Sequence, residues 1–432
     1  MPAQKPGLIR IPSVIITLAM LGLIAIGILA IGKSEIANST TGLSFRQTCY
    51  AGGALVVFAI FAVVPFQKLS FVAYPLFGIT LFLLVLVLFL PPMKGQDVRR
   101  WINLKVINFQ PSELAKLAQI ILLAWYLRQG SRYRTLPGLI PPFLLTLVPM
   151  FLILREPDLG TTLLFFPLLY VMLYMAGAKL RHLLGIVAVG AVVLLMPIPR
   201  NISNAPQKVA RERLATCYWS SADKKTVYAP AAIAAMKPHQ LPRVTGWLMQ
   251  DSKDVINDKG FQLFHSKIVI GTGKMTGHDD WEYGDTFLDM LPEDHTDFIF
   301  SVIASKWGFL GVIGVFGLYL LIFIFGIDIA STTTDAFGRL LAIGVLALIA
   351  SQFFINTGMT MGLLPITGMT LPFVSFGGSS LLINCAALGI LINVGQRRPF
   401  ITFKKPFEHN EDNSPAPYNP LEASAVRNAS DE

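Results

Sequence analysis

Long apolar runs recur along this chain of 432 residues, and they limit its possible folds more than any other feature. A run of about 20 apolar residues is long enough to cross the hydrocarbon core of a bilayer as a helix. The runs lack the alternation of every second residue that barrel strands require, so each must satisfy its backbone hydrogen bonds as a helix. The sequence therefore predicts an all-α, polytopic membrane protein.

Composition agrees with this class and argues against others. Hydrophobic residues make up 53% of the chain and charged residues only 14%, which does not fit a soluble protein of this length. The net charge of +9 comes from Lys and Arg spread over many loops, a pattern that orients membrane helices and is not typical of nucleic-acid binding. Cys49, Cys217 and Cys385 lie far apart and form no CxxC pair, so neither a structural disulfide nor a cysteine metal cluster is expected.

About ten transmembrane helices are predicted, seven before a long polar segment and three after it. Their approximate ranges are 11–31, 48–65, 71–90, 112–126, 139–154, 159–175, 183–198, 298–327, 340–355 and 380–394. Glycine at Trp307-Gly308 predicts a break in the eighth apolar run, with a short re-entrant or interfacial helix before the true span. The polar segment from Arg200 to Thr296 lacks the regular apolar pattern of a compact domain.

Basic residues predict the orientation of these spans. Placing the leader in the cytoplasm puts Lys68, the Arg128 to Arg134 cluster and the Arg397-Arg398 end inside, as the positive-inside rule favours. The loop from Lys94 to Lys105 is then outside with four basic residues, whose charge requires another reason such as an anionic ligand. No cleavable signal is expected, because the first run is about as long as a full span.

The resulting organisation has five parts. They are a cytoplasmic leader (1–10), seven spans (11–199), a large extracytoplasmic loop (200–296), three spans (297–400) and a disordered cytoplasmic tail (401–432).

Four polar sets interrupt the apolar runs on the predicted outer face. They are Arg99–Lys116, Glu156–Thr161, Leu291–Phe298 and the Gly/Pro-broken segment Gly362–Ser380. Non-helical backbone at membrane depth is tolerated where it lines protein or water, so the four sets predict a shared external cavity. Acids and imidazole at this border can stay hydrated while facing a substrate whose apolar part lies in the bilayer.

Each polar group also has an ordinary structural explanation. Asp297 would be a first-turn acid after Thr296 as N-cap, and Asp158 would cap the sixth span. Glu113 and Lys116, three residues apart on one helix face, would form an inert ion pair.

The remaining candidates have similar alternatives. His295 would be a loop histidine, and Gly377 and Gly378 would permit a turn and close helix packing. No single motif is decisive, and the convergence of the sets on one face is the stronger signal.

Several strings resemble a known family. QPSELAK, EPDLGTT, LPEDHTDFIFSVIASKWGFLG and GLLPITGMTLPFVSFGGSSLL, in this order, resemble the SEDS proteins of shape, elongation, division and sporulation. The resemblance covers about residues 10–400, and its elongation-type members look closer than its division-type members. The chain departs from the family pattern in reading GQDVRRWI before the fourth span, in having Glu156 where a glutamine is usual, and in a longer outer loop around 201–236.

The resemblance implies a peptidoglycan glycosyltransferase that builds glycan strands from lipid II for the cell wall. It implies location in the cytoplasmic membrane, an active site on the outer face and a class B penicillin-binding protein as transpeptidase partner. The HTDF aspartate, Asp297, is implied as the catalytic group, with Glu113 and Lys116 at functional positions of the fourth helix. Further residues expected at the substrate are Arg100, Gln110, Ser112, Asp158, His295, Thr296, Ser375, Gly377 and Gly378.

The chemistry of such a reaction suits these residue types. Because a lipid pyrophosphate is already a good leaving group, one carboxylate acting as general base on the attacking sugar hydroxyl can suffice. The pyrophosphate needs positive charge, which Arg100, Lys116 or a divalent ion could supply. A magnesium or manganese ion is expected at Glu293 and Asp297, and no organic cofactor is expected.

Two alternatives from other classes stay open. A flippase for lipid-linked precursors would also use many spans and buried charges, but it should show internal repeats and polar groups that reach both faces. A scaffold of the cell-wall synthase complex without catalytic activity predicts that the acidic loop can be neutralised without loss.

Overall fold

A computed structural model describes residues 10–37, 41–91, 99–103, 108–130, 132–203, 216–221, 225–236, 241–250, 260–278, 291 and 293–397. Nearly all of the predicted leader, the predicted tail over 401–432 and residues 94–98 and 104–105 of the Lys94 to Lys105 loop lie outside these described residues.

Within the described ranges, ten long helices form a bundle. They are α1 (Ile11–Ala37), α2 (Leu43–Val63), α3 (Leu69–Phe89), α4 (Pro111–Leu127), α5 (Leu136–Arg155), α6 (Leu159–Ala176), α7 (Leu180–Leu195), α11 (Ile299–Thr332), α12 (Ala336–Thr360) and α13 (Gly378–Arg397). Eight have the length and hydropathy of a membrane span, while α4 and α7 are shorter, with 17 and 16 residues. The predicted all-α, multi-pass membrane architecture is confirmed.

Several helix ends follow the predicted start and stop signals. Helix α3 ends at Phe89, just before the proline pair that begins at Pro91, since proline cannot continue a helix. Helix α4 begins at Pro111 with Gln110 as its N-cap residue, because proline at the first position needs no backbone donor. The Asp158 carboxylate accepts a hydrogen bond from the Thr161 N–H at 3.1 Å and caps α6, as predicted.

The predicted break in the eighth apolar run is present at Gly308. Its backbone is non-helical, with φ 61° and ψ −160°, and it divides the 34 residues of α11 into a short first helix and a long span. A Cβ atom at this glycine would lie 2.4 Å from the Gly277 nitrogen, so a neighbouring backbone segment approaches too closely for any side chain. That segment follows α10 (Phe261–Thr272), which packs against α11.

The region after α7 contains small elements that the sequence analysis did not predict. Three short antiparallel strands, β3 (Pro197–Asn201), β4 (Trp219–Ser220) and β5 (Thr226–Pro230), form a sheet with β5 in the centre. They are followed by the helices α8 (Ala231–Ala235) and α9 (Leu241–Leu248). Two antiparallel strands of two residues each, β1 (Ile102–Asn103) and β2 (Asn108–Phe109), precede α4.

The last two helices form the interior of the bundle. In α12 and α13, 78% and 83% of the span residues are buried, whereas α2 and α3 expose most of their apolar side chains as lipid-facing helices do. Helix α13 packs along α2, and the Asn393 amide donates to the backbone carbonyls of Phe61, Ala62 and Val64 at 2.7–3.0 Å. Such polar side chains satisfy carbonyl groups at the end of α2 and hold the two helices together.

The ten helices alternate in direction, which sorts the loops to two ends. One end, here called the basic end, carries Lys68, Arg128, Arg132, Arg134, Lys179, Arg181, Arg339 and Arg397. The opposite end, here called the polar end, carries all four polar sets that the sequence analysis identified.

Candidate functional site

The turn that contains Asp297 is held by one backbone carbonyl. The Glu293 oxygen accepts N–H groups from Thr296, Asp297 and Phe298 at 3.1–3.4 Å, and Glu293 itself has a left-handed φ of 57°. Helix α11 begins only at Ile299, with Phe298 as N-cap residue and the Phe298 carbonyl as the first acceptor of the helix. The interpretation of Asp297 as a first-turn acid capped by Thr296 is therefore wrong.

Two buried side chains fix this turn to the segment before α13. The Asn356 amide donates to the Asp297 backbone oxygen at 2.9 Å and to the Met369 carbonyl. The Ser375 hydroxyl donates to the Thr296 carbonyl at 2.6 Å and accepts the Leu371 N–H at 2.8 Å. These bonds fix the backbone on both sides of the Asp297 side chain. They also occupy the Ser375 hydroxyl with protein partners.

The Asp297 carboxylate lies among charges of both signs. Burial and, after it, the Glu293 and Asp158 carboxylates raise the pKa of Asp297, the Arg243 and Arg100 guanidinium groups oppose the rise, and the resulting pKa is about 6. The carboxylate is therefore ionised at neutral pH yet basic enough to accept a proton.

Arg243 is a functional candidate that sequence reasoning missed. It lies on α9, and a Cβ at Gly368 would stand 3.3 Å from an Asp297 oxygen and 3.9 Å from an Arg243 nitrogen, so the two side chains share one small space. Burial and the nearby Arg100 lower the pKa of Arg243, while Asp297 and Asp158 counteract them. A basic residue in the long polar segment was the only sequence feature that marked Arg243. Nothing in its neighbouring residues predicted that it would lie near Asp297.

Arg100 connects the loop before β1 to the end of α5. Its Nε donates to the Glu156 backbone oxygen at 2.9 Å, and its Nη2 donates to the Pro157 oxygen. The predicted cation is thus near Asp297, but two of its donors hold the turn between α5 and α6.

Glu156 differs from the other acids of the site. Its side chain is fully buried, and neither carboxyl oxygen has a hydrogen-bond partner among the described residues. Burial first, and the Asp158 charge second, raise the pKa of Glu156 to about 9, so the group is protonated at neutral pH.

Asp158 connects the starts of α4 and α6. Besides capping α6, its Oδ2 accepts hydrogen bonds from the Gln110 amide at 3.1 Å and the Thr161 hydroxyl at 2.9 Å, with the Ser112 hydroxyl at 3.5 Å. Three predicted site residues, Gln110, Ser112 and Asp158, therefore lie in one buried network. Their contact with substrate stays a prediction.

Glu113 and Lys116 form the predicted ion pair on α4. The Lys116 nitrogen lies 2.7 and 2.8 Å from the two Glu113 carboxylate oxygens, and both side chains are buried. The pair is not among the charges that set the Asp297 pKa. It joins the Asp297 site through the start of α4, where Gln110 contacts Asp158, and its functional role stays a prediction.

His295 lies beside another acid of the same turn. Its Nδ1 is 3.2 Å from an Asp294 oxygen, and the other Asp294 oxygen accepts the Ser34 hydroxyl at 2.6 Å. Although burial would lower the pKa of His295, the Asp294 hydrogen bond and the surrounding carboxylates raise it. Among the described residues, no group of three His, Cys, Asp or Glu side chains has metal-binding geometry. The divalent ion at Glu293 and Asp297 stays a prediction.

A cavity adjoins the turn that contains Asp297. It has a volume of about 250 Å³ and is lined by Arg46, Tyr50, Trp101, Asn108, Glu293, His295, Thr296, Phe376, Gly377 and Gly378. We refer to it as the aromatic pocket. Sequence analysis identified its glycines and the turn, but it did not identify the aromatic rings.

Comparison with known proteins gives consistent results. Residues 10–399 match the model of the FtsW, RodA and SpoVE family, described as cell cycle proteins. The chain is 34% identical to the probable peptidoglycan glycosyltransferase FtsW of Geobacter sp. (strain M18), over 82% of this chain and 86% of that protein. It is 31% identical to the peptidoglycan glycosyltransferase RodA of Treponema pallidum (strain Nichols), over 69% of this chain and 77% of that protein.

A solved structure also matches. One chain of a peptidoglycan synthase complex that coordinates polymerization and crosslinking aligns with a TM-score of 0.69 and 28% identity, over 88% of this chain and 96% of that chain. Since relatives named FtsW and RodA match at similar identity, the closer resemblance to elongation-type members stays a prediction.

Proposed function

The chain belongs to the SEDS family of FtsW, RodA and SpoVE proteins and is a peptidoglycan glycosyltransferase, and we propose that it polymerises lipid II with Asp297 as general base. The observation that carries this proposal is the Asp297 carboxylate, which shares one space with Arg243 and interacts electrostatically with Arg100. A base and two cations are the groups that transfer of a sugar from a pyrophosphate requires.

In the proposed step, Asp297 accepts the proton of the acceptor sugar hydroxyl. The hydroxyl oxygen forms the new bond to the donor anomeric carbon, and the bond from that carbon to the pyrophosphate oxygen breaks. The electron pair leaves with undecaprenyl pyrophosphate, whose negative charge Arg243 and Arg100 stabilise in a partly buried site. In-line attack inverts the configuration of the α-linked donor and gives a β-linked strand.

The remaining predicted residues support this centre. Asn356 and Ser375 hold the Asp297 turn, and Asp158 holds Gln110 and Ser112 at the start of α4. Lys116, held in place by Glu113, is a further candidate for stabilising the charge of the pyrophosphate. A divalent cation would add positive charge at the pyrophosphate, and proteins commonly bind Mg²⁺ through one or two carboxylates plus substrate phosphates. No step given above depends on that ion.

Location and partner belong to the same proposal. We place the protein in the cytoplasmic membrane with the polar end outside and both termini in the cytoplasm, since the loops of the basic end then obey the positive-inside rule. We expect a class B penicillin-binding protein as partner, and the likeness to a complex that coordinates polymerization and crosslinking supports this expectation.

The test compares wild type with Asp297→Asn on labelled lipid II, with the cognate penicillin-binding partner and a divalent cation present. Wild type should form polymer, and the variant should lose activity by about 100-fold or more, because removal of a general base typically costs 10²–10⁴ in rate. Asp328→Asn, in the second half of α11 near the basic end, is the matched control and should polymerise as wild type does. Equal polymer formation by Asp297→Asn would eliminate the mechanism.

Polymer formation by the wild type in this assay would exclude both alternatives. A scaffold without catalytic activity would form no polymer in the wild type, whereas a flippase would move lipid II across vesicles without condensing it. The described structure favours an enzyme because its ionisable network lies at the polar end.

A further inference from the structure

The aromatic pocket differs in chemistry from the Asp297 site beside it. Its walls include the rings of Tyr50, Trp101 and Phe376, with Arg46 and Asn108 as polar groups. Neither Arg100, Arg243, Asp158 nor the Asp297 side chain lines it. The aromatic pocket and the Asp297 site therefore share the 293–297 turn but contain different side chains.

The rings of this pocket are fixed by contacts with each other and with the backbone. Tyr50 and Phe376 have centroids 6.1 Å apart, and His295 stands edge-on to Phe376 at 5.6 Å. The Phe376 N–H donates to the His295 carbonyl at 2.9 Å, so the ring is tied to the catalytic turn itself. A Cβ at Gly378 would lie 3.2–3.3 Å from the Tyr50 ring, which places this ring directly against the start of α13.

Polar groups surround these rings. The Arg46 guanidinium lies 6.0 Å from the Phe376 centroid and donates to the Tyr50 hydroxyl at 3.3 Å. Glu293 stands exposed at the rim in a left-handed conformation that non-glycine residues adopt rarely, often at functional sites. Apolar ring faces within a border of hydrogen-bonding groups suit a ligand that is itself amphipathic.

The size of the pocket restricts that ligand further. About 250 Å³ is below the ~300–1,000 Å³ that is usual for pockets of drug-sized ligands, so it accommodates one ring-sized group. A sugar ring has an apolar face for an aromatic side chain and equatorial hydroxyls for Arg, Asn and Glu. Among the described lining residues, a pyrophosphate would find one permanently charged cation, Arg46, whereas the Asp297 site provides two.

We propose that the aromatic pocket binds an N-acetylhexosamine ring of the acceptor, the reactant whose hydroxyl is deprotonated, while the donor pyrophosphate occupies the Asp297 site. This inference rests on the proposed polymerase function. It explains why one turn carries both the base and one wall of the pocket: a sugar held against Phe376 and Thr296 places its hydroxyl beside the Asp297 carboxylate.

The test measures binding of a β-1,4-linked N-acetylglucosamine tetramer, which has neither lipid, phosphate nor peptide. Saturation-transfer NMR on the full chain in nanodiscs reports which sugar protons contact the protein. Asp297→Asn should bind the tetramer as wild type does although it makes no polymer. Tyr50→Leu and Phe376→Leu should each weaken binding about tenfold, because removal of a well-packed aromatic anchor costs this much or more.

Matched variants keep the experiment decisive. Tyr50→Phe retains the ring and should retain binding, and Phe71→Leu, which changes an aromatic residue of α3 that is 82% exposed, should leave binding and melting temperature unchanged. Wild-type affinity in both Leu variants of the pocket would overturn the proposal, as would displacement of the tetramer by the free stem peptide. Polymer formation by Asp297→Asn would instead refute the general base and leave the pocket assignment standing.

Discussion

At the scale of single residues, the charges around Asp297 predict opposite effects on pH dependence. Arg243 lowers the pKa of Asp297 and Glu293 raises it. Because the base must be ionised, activity should fall as the pH drops through about 6 in the wild type. Arg243→Gln should move this acidic limb to higher pH, and Glu293→Gln should move it to lower pH. Initial polymerisation rates between about pH 5 and 8 measure both shifts, and limbs that moved in the same direction would contradict this electrostatic account.

Glu156 predicts a pH effect on stability. Its pKa of about 9 in the folded protein is above its ordinary value of 4.5, so the folded state binds a proton that the unfolded state releases. The contribution of this bound proton to the free energy of unfolding is complete below about pH 4.5 and is lost as the pH rises through about 9. Glu156→Gln removes this dependence, and its unfolding free energy should gain on wild type by about 1 kcal/mol per pH unit within that window. Melting temperatures of both proteins in one detergent test this; parallel pH curves would show that Glu156 is not protonated on folding.

The sequence predicted residues whose partners are local and missed those whose partners are remote. The Glu113 and Lys116 pair and the Asp158 cap follow from spacings of three residues, and both are present. The relation of Arg243 to Asp297 spans more than fifty residues of polar chain that has no periodic pattern. Only the folded chain brings these two side chains together.

At the scale of elements, the break at Gly308 predicts a specific sensitivity. Gly308→Ala would force a Cβ onto the backbone of the Gly277 segment and retain a positive φ, so it should lower stability on the order of 3 kcal/mol. Gly314→Ala in the same helix meets no atom within 4 Å and should be neutral or slightly stabilising. Thermal melting of both variants distinguishes a packing constraint at Gly308 from a general sensitivity of α11 to the replacement of glycine. Equal melting temperatures would contradict the close approach.

The existence and order of the helices were predictable because apolar runs and prolines act locally, but several helices extend about five residues beyond the predicted bounds, as at Ala37, Leu43 and Thr360. The start of α11 was not predictable, since the left-handed turn at Glu293 that precedes it is held by the remote residues Asn356 and Ser375. The strands β3 to β5 were missed because short pairings between distant segments leave little periodic signal in the sequence.

At the scale of the whole molecule, the two ends predict a sidedness that labelling can measure. In a background with Cys49→Ser and Cys385→Ser, Cys217 near β4 should react with an impermeant maleimide added to intact cells. Ser331 is exposed at the C-terminal end of α11, and a thiol introduced there by Ser331→Cys should react only after the membrane is permeabilised. The reverse pattern would place the active site in the cytoplasm and refute the proposed orientation.

The burial of α13 also has a consequence for biosynthesis. The Gln47 amide, near the start of α2, donates to the Ser375 carbonyl and accepts the Gly377 N–H, and the end of α2 is held by Asn393. The second span thus depends on a span that is translated much later, so α2 remains in lipid without this neighbour until α13 is inserted. A chain that stops before α13 would be anchored in the membrane but would lack the Asn393 amide that holds the end of α2.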